Sequence, residues 1–159
     1  MTLIPLVAAA ALVLQATTAP KTPAQKPGGA AKPAAAAKPA AGTLPVTLNY
    51  KGKGVVDDKH KLIVWMFADA NVTSSSRPVG TQMTTKNGGK VMFTNAPSTP
   101  VYLLAVYDET GTYDGVSGPP PPGLPYALYK KAPKGPPTPV TAGTDSVTFT
   151  FSDAERWNK

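Results

Sequence analysis

Cysteine is absent from the 159 residues, and histidine occurs once, as His60. The first absence excludes a disulfide framework, a thiolate metal site, a cysteine nucleophile and an acylated lipoprotein anchor. The second leaves no typical zinc site unless carboxylates are borrowed. No serine stands in a G-x-S-x-G context, so Ser74, Ser75 or Ser76 with His60 makes a poor catalytic triad, and His60 reads as a solvated residue where a strand begins. Phosphate-cradling glycine loops and dinucleotide fingerprints are missing too. Acidic residues are scarce and absent altogether from 20–43, whose Lys21, Lys26, Lys32 and Lys38 carry much of the +7 formal charge. The remainder holds 12 basic against 9 acidic residues, too even a balance for a nucleic-acid surface.

What is abundant is proline and glycine, 19 and 14 residues, which rules against a helical bundle. They cluster in the amino-terminal segment and after Gly118. Residues 3–16, LIPLVAAAALVLQA, form an uncharged apolar run. It is shorter than the ~20 residues of a membrane span and reads as the apolar part of a signal peptide within 1–19, or as an uncut anchor. No span is expected in the mature chain. Residues 20–43 repeat Lys-Pro at 26–27, 32–33 and 38–39 among alanines. Proline favours extended backbone and the segment has no large apolar side chain, which predicts a disordered cationic linker.

From Leu44 onward the pattern is that of strands. Val46, Leu48 and Tyr50 alternate with polar residues, Lys61–Phe67 is apolar on both faces, and Val79, Thr81 and Met83 share one face of a weaker third strand. Asn87-Gly88-Gly89 predicts a tight hairpin turn before Val91 and Phe93. Val101–Tyr107 has the composition of a central strand, and Leu124–Tyr129 that of an edge strand limited by Pro125. Val147, Phe149 and Phe151 alternate with threonines in a last strand. Residues 152–159 suit one helical turn, with Trp157 folding back. The prediction is an all-β domain over 44–159: an antiparallel sandwich of about seven strands, prealbumin-like or Ig-like, behind the leader and linker.

The segment TKNGGKVMFTNAPSTPVYLLAVYDE resembles the prealbumin-like sandwiches, that is, transthyretin-like and carboxypeptidase-regulatory-like domains. Asn87-Gly88, Phe93, Asn95-Ala96-Pro97 and the Tyr102–Tyr107 strand carry the likeness, with Ser98-Thr99-Pro100 where a glycine is usual. Asp108–Asp114 is similar to the D-E-N-G-N-G-x-x-D run of a family of secreted bacterial domains. The resemblance spans about 44–118. It implies a fold, a secreted setting and an accessory, stalk or binding role, without enzyme activity; with the leader, the expected location is secreted or periplasmic and cell envelope.

Two sets of residues are candidates for a site. Asp108, Glu109 and Asp114 offer carboxylates on a loop short enough to wrap calcium, with Thr110 and Thr112 as weaker ligands and Asp57, Asp58 and Asp69 in reach of the same rim. Asp114 equally suits a turn cap. Among the aromatics, Trp65 reads as core, while Tyr113 and Tyr126 flank the proline loop and frame a shallow groove fit to stack on a sugar, or else pack on the prolines. Pro119–Pro122 is also a polyproline ligand in form. The leading expectation is an exported, non-enzymatic binding or structural module, its 108–130 loop region engaging an envelope polymer or a protein. The alternative is a calcium-stabilised carbohydrate-binding domain.

Overall fold

The computed structural model describes residues 42–158, so the apolar leader and nearly all of the Pro/Ala/Lys linker lie outside the described residues. Seven strands succeed one another without an intervening helix: β1 (Leu44–Tyr50), β2 (Leu62–Phe67), β3 (Gly80–Thr84), β4 (Gly89–Phe93), β5 (Tyr102–Tyr107), β6 (Tyr126–Leu128) and β7 (Val147–Phe151). They form two sheets, β4-β1-β7 and β3-β2-β5-β6. The domain is an all-β sandwich, as the strand pattern predicts. One pairing departs from the antiparallel expectation: β1 runs parallel to β7, with Leu48 opposite Phe149. Alternating apolar residues set which face a strand buries, and they carry no mark of the direction of the neighbour.

The alternation resolves into two apolar clusters. Val46, Leu48, Val91, Phe93, Val147 and Phe149 meet Leu62, Val64, Met66, Leu103 and Ala105 between the sheets. The opposite set on the second sheet, Ile63, Trp65, Phe67, Leu104 and Val106, is covered by Leu124 and Trp157. That outer cover explains why β2 and β5 are apolar on both faces: each is buried on both sides although the sandwich is only two sheets thick. Val79, which precedes β3, and Met83 within it are 49% and 41% exposed, in keeping with a weaker third strand.

The Asn87-Gly88-Gly89 turn forms, but it does not close a hairpin. β3 and β4 belong to different sheets, so the turn carries the chain across the sandwich. Gly88 takes φ 75° there, and the Asn87 side chain does the work of a strand residue. Its Oδ1 accepts from the Tyr50 N–H at 2.8 Å and its Nδ2 donates to the Tyr50 carbonyl at 2.8 Å, which extends the β1 ladder by one residue. At the same end Tyr50 and Tyr107 stack across the two sheets, ring centres 4.3 Å apart. The Lys51–Gly54 connection lies on this stack. A Cβ on Gly52 would strike the Tyr50 hydroxyl and the Asp153 carboxylate, and one on Gly54 would strike the Tyr107 ring. Glycine is required at both by close approach.

The chain beyond β7 forms no helical turn, contrary to expectation. It makes a turn at 153–154 and then runs as a strap, with Arg156 bridged antiparallel to Pro125. The Trp157 N–H donates to the Leu124 carbonyl at 2.9 Å, and the Gly123 N–H donates to the Trp157 carbonyl at 2.7 Å. Phe149 and Phe151 end the alternating pattern, and the strap beyond them is held by the loop before β6. Trp157 does fold back, and at 2% exposure it is among the largest fully buried side chains. Burying an indole removes some 150–250 Å² from water, roughly 4–6 kcal/mol, so this one residue adds a large apolar contribution to the backbone bonds that hold the strap.

Candidate functional site

The acidic loop is organised around Asp108, which is 1% exposed. Its Oδ1 accepts from the Thr110 N–H at 3.2 Å, the Thr110 hydroxyl at 2.8 Å and the Gly111 N–H at 2.9 Å. Its Oδ2 accepts from the Tyr113 N–H at 3.0 Å. Successive backbone N–H groups thus converge on one carboxylate, the geometry of an anion nest occupied by the protein's own side chain. Glu109 turns away to pair with Arg156, whose guanidinium also donates to the Gly123 carbonyl at 2.8 Å. Asp114 caps the next turn, accepting from the Val116 and Ser117 N–H groups at 2.9 Å each and from the Ser117 hydroxyl. The Ser117 hydroxyl, ahead of the backbone donors, holds the Asp114 carboxyl down to about 2. The three candidate calcium ligands therefore face three different sets of partners. Among the described residues no three histidine, aspartate or glutamate side chains gather as a metal site would need.

Tyr113 is half-buried. Its hydroxyl donates to the Gly118 carbonyl at 2.6 Å and its ring lies 5.9 Å from that of Trp65. Burial, reinforced by the Asp114 and Asp108 charges, pushes its phenol up to about 12. Tyr126 stands edge-on to Trp157, ring centres 5.3 Å apart. It lines a groove between β6 and β7 together with Tyr129, Phe149 and Phe151. The two tyrosines do not frame a common groove. His60 is folded into its own turn, its N–H and Nδ1 lying 2.7 Å and 3.0 Å from Asp57 Oδ1. Ser75 and Ser76 hydroxyls are engaged with Thr73.

A cavity of about 140 Å³ opens on the outer face of the second sheet. Its floor and walls are Trp65, Phe67, Leu104 and Trp157, and its mouth lies between the 72–78 loop and the 115–120 loop. Gly115 lets the second loop sit close: at φ 76° its Cβ position would lie 2.9 Å from Ile63, and its carbonyl accepts from Trp65 Nε1 at 2.8 Å. That bond fixes the indole of Trp65. The indole of Trp157 is not so held. Its Nε1 is the one buried side-chain polar atom without a hydrogen-bond partner among the described residues. Arg77 stands at the mouth, exposed and outside the two ion pairs of the described residues.

The sequence pattern places Trp65 correctly as buried but gives no sign that its face of β2 is the floor of a cavity. Leu104 is its ladder partner on β5, but Trp157 joins them only through the strap, and the 72–78 loop has no motif that ties it to this face. The available signal is a short run that is apolar on both faces, since a two-sheet sandwich leaves one of those faces needing a cover. Comparison with protein-family models, with characterised proteins and with solved structures finds no match for the chain.

Proposed function

We propose that this chain is a non-enzymatic binding module of an exported protein, built on a prealbumin-like sandwich and held off its anchoring point by the 20–43 linker. The partner is an envelope polymer or another protein, engaged by the loop region 108–130 and the cavity beside it. The observation that carries this reading is the cavity itself, an aromatic-walled recess set on a rigid sheet and bordered by two loops. The interior of the 108–118 loop is pinned by Asp108 and Asp114, so the recess is preformed and a partner meets little ordering cost. The Ser75 and Ser76 hydroxyls and His60 are engaged within their own turns, which supports binding over catalysis. The prealbumin-like assignment is supported by seven strands in sheets of three and four, with the resemblance segment supplying β4 and the inner strand β5.

Co-sedimentation of the full chain with insoluble cell-wall peptidoglycan tests the proposal. Val116, 70% exposed at the mouth of the cavity, can be changed to aspartate without touching the core. Retention of the parent and release of Val116→Asp is the expected pair of results. Retention that survives Val116→Asp but is lost when 20–43 is deleted would transfer binding to the linker and sink the proposal.

A further inference from the structure

We infer that the cavity between the 72–78 and 115–120 loops binds a single aromatic ring bearing a carboxylate. The inference rests on the reading of this loop face as the binding face and names the chemical group it accepts.

Size sets the first limit. A dry cavity of roughly 150 Å³ accommodates one benzene ring, and the space here is about 140 Å³. The walls set the second: Trp65, Phe67, Leu104 and Trp157 offer flat or branched apolar surface, which suits a planar ring by stacking and edge contact. Polarity sets the third. No aspartate or glutamate lines the cavity. The Thr73 and Ser76 hydroxyls on its lining bond each other, and the polar groups it presents besides are the Ser74 and Thr81 hydroxyls and the Arg77 guanidinium, which brings one positive charge. Trp65 has committed its indole N–H to Gly115, so that donor is not offered to a ligand. The group that fits is therefore apolar in its body, acceptor-bearing and anionic. Arg77 at the mouth fixes the orientation, with the ring inward and the carboxylate toward the rim. A free aromatic acid and an aromatic residue at a peptide's carboxyl terminus share this chemistry.

Both tryptophans of the chain line the cavity, so their two indole N–H resonances in a ¹H–¹⁵N spectrum report on it directly. The probes are phenylacetate, its neutral counterpart 2-phenylethanol, and N-acetylphenylalanine for the peptide-terminus source. For ligands of about ten heavy atoms a Kd on the order of a millimolar is expected. Phenylacetate should move both indole resonances saturably. Arg77→Ala, a change of an exposed side chain, should weaken phenylacetate roughly fivefold and leave 2-phenylethanol unchanged, as loss of a rim charge predicts. N-acetylphenylalanine binding as tightly as phenylacetate assigns the peptide source, and binding much more weakly assigns the free acid. Equal affinity of acid and alcohol would overturn the carboxylate assignment. Movement of Trp65 without Trp157, or of neither at tenfold excess over the expected Kd, would overturn the ring site. In that last case peptidoglycan retention that still depends on Val116 leaves the binding-face reading standing, and its loss removes both.

Discussion

Replacing Asp108 by asparagine and by alanine separates a carboxylate that organises a loop from one that awaits a cation. The parent side chain accepts four hydrogen bonds, three from backbone N–H groups, while itself almost fully buried. Bonds to a charged acceptor contribute about 1.5–3 kcal/mol each, so alanine forfeits a gross 6–12 kcal/mol. Thr110 and Thr112 are exposed, and water can recover the outer donors, which leaves a net cost of about 3–4 kcal/mol. Asparagine keeps the three bonds at Oδ1 but sets an amide N–H against the Tyr113 N–H. Its cost is one lost bond and a weakened acceptor, about 2 kcal/mol. For a domain of this size each kcal/mol lowers the melting midpoint by roughly 3–6 °C. A calorimetric melt of the full chain should therefore rank parent, asparagine and alanine in order, with alanine about 10–20 °C down. Since both carboxylate oxygens are already engaged, curves in calcium and in chelator should superimpose. An alanine variant within about 1 kcal/mol of the parent, or a calcium-dependent rise of several degrees, would refute this account of the loop.

The other expected outcomes concern the Tyr50–Tyr107 stack, at the same end of the sandwich as Asp108, and the pH limits of the fold. Gly52→Ala drives a methyl group into the Tyr50–Asp153 pair and Gly54→Ala into the Tyr107 ring, and each should cost about 1–3 kcal/mol in urea unfolding. Tyr50→Phe removes the hydroxyl that Asp153 accepts from, and it should relieve part of the Gly52→Ala penalty in a double-mutant cycle. Burial first of all raises the phenols of Tyr50, Tyr107, Tyr113 and Tyr126, that of Tyr113 to about 12, against an ordinary value of 10.0. Their neutral forms favour the fold, so this contribution is whole below pH 10 and is lost as pH climbs through the folded values. Absorbance at 295 nm should show these phenols ionising together with loss of the near-ultraviolet dichroism, and early ionisation with the fold intact would contradict it. On the acid side, the His60 N–H lowers Asp57, the Ser117 hydroxyl lowers Asp114 and the Tyr50 hydroxyl lowers Asp153. That stability is present above about pH 4 and fades as pH falls through the folded values, with a small amplitude because all three carboxylates face solvent.

Most of the fold is legible in the sequence because period-2 burial is a local property. Val46-Leu48-Tyr50 and Val147-Phe149-Phe151 each announce a strand with one buried face. The same residues cannot announce that the two strands lie side by side and parallel, since that depends on chain separated by about a hundred positions. Asn87-Gly88 shows a similar limit. The turn chemistry is local and legible, while the destination of the chain after it, the opposite sheet, is set by how Val91 and Phe93 pack on β1. The carboxylates of 108–114 invite a metal reading because composition counts acceptors and does not count the backbone donors that a tight loop turns inward. Trp65 is legible as buried. Its part in a cavity depends on Trp157 arriving from the far end of the chain.

The parallel pairing of β1 with β7 has a kinetic side. β1 is the middle strand of its sheet, so one of its two ladders is supplied only by residues 147–151. Closing that contact spans almost the entire domain, and the entropy of bringing the ends together must be overcome before the ladder contributes anything. The Trp157 strap, which covers the second sheet, lies later still. A chain growing from its amino end can thus make β2 and β5 long before it can complete either cover, and the domain should gain its stability in one late, slow step. The apolar strands β2 and β5 are made before either of their covers is complete, and they are open to aggregation in that interval.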